Sequence, residues 1–378
     1  MGKVAEADKY GAPLYGVAWP FGRFIFMAGG GNMGIENKVV IVRPRLGGVS
    51  EELGKFNTGD DAAYRLCMHP GGKKLVLGMA KGGVRVLDVV SGAAPEDVPE
   101  LVPAPEDSSP RATEIGELKS LGFDASGSRL ALGYEDGHVE VREFPSLELV
   151  VRFKASPLDK AIRNLEFSRP HGDAVLLTTD EAGKAALWDA ATGAKVQDLE
   201  PPASLPRCGF FKISAAYDRT ARVARPGGGV APAVAIYGAA RSLGKGYLLR
   251  YRQDASGALV LDERSAKKPI LDAPICGMAL APSGQFVALV TPEGDQMVVA
   301  AASLKPCTYR PKAHMTFATA VAFAPSERGV VSVSADASAV VAPISPVMAG
   351  EANGKIFLVV AALVFLLAFL IKNKDRLL

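Results

Sequence analysis

From Leu14 to Val341 the chain is a succession of short apolar and alternating runs, broken every few residues by Gly, Pro, Ser or Asp. Apolar positions at helical spacing are almost absent before Ile356. Period-two alternation puts one side of a segment in a core and the other in water, so these runs predict strands joined by tight turns. Three stretches repeat one order of pieces. Tyr64-Arg65-Leu66-Cys67-Met68-His69-Pro70 leads through Leu75-Val76-Leu77-Gly78 to Val84-Arg85-Val86-Leu87-Asp88. Leu121-Gly122-Phe123-Asp124-Ala125-Ser126-Gly127 leads through Leu130-Ala131-Leu132-Gly133 to Val139-Glu140-Val141-Arg142-Glu143. Leu165-Glu166-Phe167-Ser168 leads through Val175-Leu176-Leu177-Thr178 to Ala186-Leu187-Trp188-Asp189.

The copies recur about every fifty residues, a period that marks repeat architectures. Weaker copies run from Met278 to Val290 and from Val321 to Val341. A degenerate unit lies between Cys208 and Asp254, with long turns at Arg225–Gly229 and Ser242–Gly246, and the first unit is Leu14 to Val42. About seven such units close into a ring of blades, and the Trp188-Asp189 dipeptide sits where a WD repeat carries it. The body resembles WD-repeat proteins. The expected fold is all-β: a seven-bladed propeller over residues 1–345, with a mobile inter-blade loop at 93–114 rich in Pro, Glu and Asp. Residues 346–355 then form a linker to a single transmembrane helix.

That helix is predicted over 356–371, Ile356 to Ile371, which contains no polar residue. At 1.5 Å per residue it would be about 24 Å long, short for a typical bilayer and suited to a thin one. Lys355 and Lys372 bracket it and can snorkel to the two interfaces. The charges of the 372–378 tail would by themselves place it in the cytosol. The first residues, Met1 to Asp8, carry no apolar run that could serve as a signal peptide, and Glu6 breaks the myristoylation motif. The body is therefore expected to fold in the cytosol, with only the seven-residue tail crossing into the lumen.

Composition narrows the function classes. The net charge of +3 over 378 residues supplies no basic footprint for nucleic acid. Cys67, Cys208, Cys276 and Cys307 are scattered, without metal-ligand spacing, as in a reducing compartment. His69, His138, His171 and His314 fall mostly at turn positions of the repeats. Asp88 and Asp189 occupy matching repeat positions, which suits turn bracing better than an acid–base pair. No nucleophile, zinc or kinase motif is present.

The most unusual stretch is Ala28-Gly29-Gly30-Gly31-Asn32-Met33-Gly34-Ile35-Glu36-Asn37-Lys38. Gly29, Gly31 and Gly34 fit G-x-G-x-x-G with Glu51 downstream, but a strand follows where a dinucleotide site needs a helix. A strand–loop–strand connection this rich in glycine exposes backbone carbonyls, which suits a cation or the close approach of another protein. Ile35 at its tip is expected to be exposed and to act as an anchor for a partner.

With Gly34-Ile35 followed by Asn37-Lys38 at the start of a strand in blade one, the loop is similar to the potassium-binding loop of the exchange factors that initiate COPII vesicle formation. The resemblance implies a cytosolic propeller anchored in the endoplasmic reticulum membrane. It implies a partner, a small GTPase engaged in its GDP-bound and nucleotide-free forms, and no covalent chemistry. It further implies that Gly29, Gly30, Gly31, Asn32 and Gly34 frame a potassium ion, mainly through backbone, while Ile35, Asn37 and Lys38 form the engaging loop. The family usually has proline where this chain has Glu36, which would stiffen the tip. A relative without exchange activity, assisting the exit of cargo such as a phosphate transporter, or a general scaffold, are the alternative readings.

Overall fold

The computed structural model describes residues 8–344, apart from 32–33, 47–49, 93, 95, 109, 225–229 and 255. These residues form seven four-stranded antiparallel sheets. In chain order the blades span 14–57, 63–103, 118–154, 162–199, 209–261 and 277–310; the seventh takes 318–343 and borrows Asp8–Lys9 as its outer strand. That borrowed strand pairs Asp8 with Ala339 and Lys9 with Ser338, so the first and last described strands close the ring.

The second strand of each blade explains why the sequence folds this way. Phe24–Gly29 is buried at every position, and Lys74–Met79 at all but its first. Continuous apolar runs of this kind are buried on both faces, between neighbouring sheets. Seven apolar clusters result, and each joins two adjacent blades. Ile25, Met27, Val331 and Val333 join blades seven and one. Phe26, Val39, Leu75 and Leu77 join one and two. The remaining five clusters continue the ring. A fully buried Leu such as Leu75 or Leu77 stabilises by roughly 1.5–3 kcal/mol relative to exposure, so every blade contact is held mainly by apolar burial.

The Trp188-Asp189 signal has a visible cause. Trp188 donates its indole N–H to Thr178 Oγ1 at 2.8 Å. The Asp189 carboxylate accepts from the backbone N–H groups of Ala191 and Thr192, bracing the turn. Asp88, at the matching position, instead pairs with Lys74 across the sheet at 2.9 Å.

One expectation needs correction. The 93–114 segment, read as a loop between blades two and three, contains structure instead. Glu100–Pro103 is the outer strand of blade two, followed by a 3-10 turn at Pro105–Ser108 and a short helix at Pro110–Glu114. Asp107 anchors this segment, accepting from Arg85 and from the Val86 backbone. Blade five also differs from its siblings, because its first two strands run for 16 and 13 residues, Gly209–Ala224 and Val230–Ser242. The 356–371 segment and its flanks lie outside the described residues; among those described, no helix is long and apolar enough to cross a membrane.

Candidate functional site: the glycine loop of blade one

Strand direction fixes where the loop sits. In each blade the first strand runs from one end of the ring to the other, so the second-to-third connections share an end with the starts of the first strands. The blade-one loop, between Phe24–Gly29 and Lys38–Arg43, therefore stands at the end where the inner strands begin. At that end Tyr15 and Tyr64 meet edge to face, 4.8 Å between ring centroids. Arg65, Lys119 and Arg163 line the adjoining channel mouth. Exposed apolar side chains, Met315, Phe317, Leu158 and Leu243, also belong to connections at this end.

The glycines at the base of the loop are required by close approach. A Cβ on Gly29 would fall 1.9 Å from the Pro13 carbonyl oxygen. Gly30 donates its N–H to that same oxygen at 2.9 Å. Gly30 has φ +151°, and a Cβ there would fall 2.1 Å from Asn37 Oδ1. Side chains rarely adopt that conformation, so both backbone shape and space exclude them. Gly34 has φ +85° with open space around it, so only the turn itself demands glycine there.

Asn37 ties the loop to the body. Its Oδ1 accepts from Gly31 N–H and its Nδ2 donates to the Gly59 carbonyl, both at 2.9 Å. Its backbone carbonyl accepts from Thr58 N–H at 2.9 Å. Asn37 is 8% exposed, a strut and not a contact residue. Lys38 is buried to the same degree, and its ammonium group points at Glu36 Oε2, 3.4 Å away. Lys55 approaches the other carboxylate oxygen at 2.7 Å. The Lys55 hydrogen bond outweighs the opposing effect of burial and, with the nearby charges of Lys55 and Lys38, holds the Glu36 carboxyl below the usual carboxylate range.

Of the three residues expected to engage a partner, the structure presents one outward. Ile35 is 40% exposed. Its Cδ1 lies back over Gly31, where a Cβ would meet it at 3.1 Å, so the side chain is seated and partly presented. Asn37 and Lys38 face inward and support it. Asn32 lies outside the described residues. Sequence reasoning missed Pro13, Lys55, Thr58 and Gly59, which come to the loop only through strand register and neighbouring connections. Register alone could have signalled Lys55, which stands opposite Val40.

The donor set can be tested for a cation. The loop offers neutral oxygens: Asn37 Oδ1, with one lone pair beyond the Gly31 bond, and glycine carbonyls. Its carboxylate, Glu36, is engaged by two ammonium groups. Among the described residues no group of three or more His, Cys, Asp or Glu could hold a metal. Such a set fits a weakly hydrated monovalent cation better than a divalent one, which needs carboxylates.

The histidines sit in structural roles. His314 bridges two serines, Ser332 and Ser338, at 2.7 Å each. Burial pushes its pKa down to about 4. His69 packs against Phe123 and Phe144 and accepts from Gly71 N–H. All four cysteines are free, and burial raises the pKa of each thiol.

No family model matches the chain. It is 27% identical over 331 residues to SEC12-like protein 2 of Arabidopsis thaliana, covering 82% of this chain and 72% of that protein. It is 26% identical over 287 residues to SEC12-like protein 1 of the same plant, covering 75% of this chain and 63% of that one.

Proposed function

We propose that this homologue of SEC12-like proteins is a guanine-nucleotide exchange factor for the small GTPase that initiates COPII coat assembly at the endoplasmic reticulum. The observation that carries the reading is the braced loop with a partly exposed apolar tip: Ile35 on a loop tied to the body by Asn37 and the Glu36–Lys38–Lys55 cluster. Exchange of this kind makes and breaks no covalent bond. It needs a rigid element that fits the nucleotide-free partner better than the GDP-bound one, because only differential affinity shifts the equilibrium. A mobile tip would lose that difference to ordering entropy, and the bracing avoids it.

The neutral oxygens around Asn37 support a potassium ion as a further stiffener, held by the glycine carbonyls and Asn37 Oδ1. The apolar run at 356–371 supports a single membrane anchor; with the propeller on its cytosolic side, it would bring exchange to the surface where the GTPase works.

Glu36 favours a second reading. It stands where the resemblance expects proline, and the ion-pair cluster replaces a covalent constraint with an electrostatic one. A propeller with a softer tip could assist cargo exit without exchanging nucleotide. The test is capture of the purified GTPase by the full chain after GDP is stripped with a chelator, in potassium and in sodium buffer. Retention of the nucleotide-free form, stronger in potassium and lost in Ile35→Ala, supports the exchange reading. Equal retention of both nucleotide states, unaffected by Ile35→Ala, supports the second.

A further inference from the structure

The first strands of the seven blades surround an axial channel. Residues of all seven line its mouth at the end of the blade-one loop, a cavity of about 270 Å³. In blades two to five the inner strand opens on a bulge, at Tyr64, Lys119, Arg163 and Phe211. A bulge sets two residues against one on the partner strand and re-aims their side chains. Successive residues therefore reach the channel, as Arg163 with Asn164 and Phe211 with Lys212 do.

The mouth carries one sign of charge. Arg65, Lys119, Arg163 and Lys212 come to it from four consecutive blades, and among the described residues no carboxylate lines it. Carboxylates outside the lining take part of that charge. Glu117 and Glu135 approach Lys119 at 2.6 and 3.7 Å, and Glu181 lies 3.8 Å from Arg163. Two nitrogens of Arg65 are engaged by backbone, Nε donating to the Lys119 carbonyl and Nη1 to the Tyr64 carbonyl. The hydroxyls are engaged as well, Ser120 by the Ile162 carbonyl and Thr319 by that of Leu14.

Lys212 is the exception. It is partly buried where the mouth meets the other half of the channel, and it lines both. Among the described residues its ammonium group has no hydrogen-bond or ion-pair partner. Burial draws that group below the usual lysine range, opposed by Glu166 in the other half, which accepts from Ser214 Oγ at 2.5 Å. A sequestered ammonium without a counter-ion is costly, and an anion placed against it removes that cost while making charge-assisted hydrogen bonds. The Arg163 guanidinium is held over the ring of Phe211, the residue before Lys212, 5.1 Å from its centroid. An ammonium together with a planar fork of donors suits the oxygens of a phosphate group.

We propose that the mouth of the axial channel binds a phosphate monoester, with Lys212, Arg163 and Arg65 supplying the donors. Its volume lies close to the lower end of small-ligand sites, roughly 300–1,000 Å³. The place of Lys212 between the two halves favours a compact ligand over a protein segment, because the occupant must enter a channel. The site is independent of the exchange reading, although it shares an end with the blade-one loop.

The full chain, in detergent micelles and phosphate-free buffer, is titrated by calorimetry with glycerol phosphate and with a water-soluble short-chain phosphoinositide. Saturable binding at one site is expected. Binding of glycerol phosphate as tight as that of the phosphoinositide assigns a soluble ligand; tighter binding of the phosphoinositide assigns a lipid headgroup. Lys212→Met should weaken binding roughly tenfold or more, since it removes a hydrogen bond to a charged group, and Arg163→Gln should weaken it as well. Lys212→Met should also raise the thermal midpoint in phosphate-free buffer, since an apolar chain replaces an unpaired ammonium; a lysine that only held the fold together would lower it. Heats no different from those of sodium chloride at matched ionic strength, for both probes, would overturn the proposal. So would binding that survives both substitutions, or an acidic peptide that binds through Lys212 where neither phosphate does.

Discussion

Asn37 and Glu36 decide how firmly the tip of the loop is held. Asn37→Ala removes two side-chain hydrogen bonds, to Gly31 and Gly59, in a residue that is almost fully buried. At about 1 kcal/mol for each such bond, urea unfolding should show a loss of about 1–2 kcal/mol, together with lost exchange activity. Glu36 acts electrostatically. Its carboxyl titrates below its ordinary value of 4.5, so its support is complete above that value and is lost as pH falls through the depressed one. Glu36→Gln should therefore lower the thermal midpoint slightly at neutral pH, and the difference from the parent chain should disappear in acid. Salt should shrink the same difference, because Lys55 is half exposed.

At the scale of strands and turns, the buried histidine of blade seven carries a pH signature. His314 titrates near 4 when folded, because burial, with Lys9 adding to it and Asp336 opposing it, disfavours the charged ring. The unfolded chain takes up its proton near 6.5, so stability is complete above that pH and declines as pH falls toward 4. The slope is at most about 1.4 kcal/mol per pH unit. Denaturant unfolding at pH 7 and pH 5 should show it, and His314→Gln should flatten it while lowering stability at pH 7. Elements were legible in the sequence where burial is symmetric. Residues 75–79 and 175–177 are apolar runs because both faces are covered, and Trp188-Asp189 marks a turn it also braces. Blade five was legible only as a degenerate unit between Cys208 and Asp254; the length of its strands was not, because they pack through small residues such as Ala235, Ala239 and Ala240, which carry no clear period. The 93–114 segment was misread because its acidic composition hides Leu101, Ala104 and Ala112, all buried in the contact between blades two and three or one and two. At the loop, the glycines and Ile35 were visible in the sequence, whereas Lys55 was not, since only strand register brings it beside Glu36.

At the scale of the whole molecule, seven interblade clusters and the Asp8–Lys9 strand leave no blade contact open. A closed ring is a rigid support, and rigidity is what a wedge acting by differential affinity requires. Its two ends differ: one carries the braced loop with Ile35, the other carries the turn of the long blade-five hairpin. The central claim is that Ile35 acts as that wedge, and GDP release from the COPII-initiating GTPase tests it most directly. With the full chain in potassium buffer, release should accelerate at least tenfold over the uncatalysed rate, and Ile35→Ala should abolish the acceleration while leaving the unfolding midpoint unchanged. That loss corresponds to about 1.4 kcal/mol or more of selective stabilisation. Release that does not accelerate, or that accelerates equally with Ile35→Ala, would contradict the account.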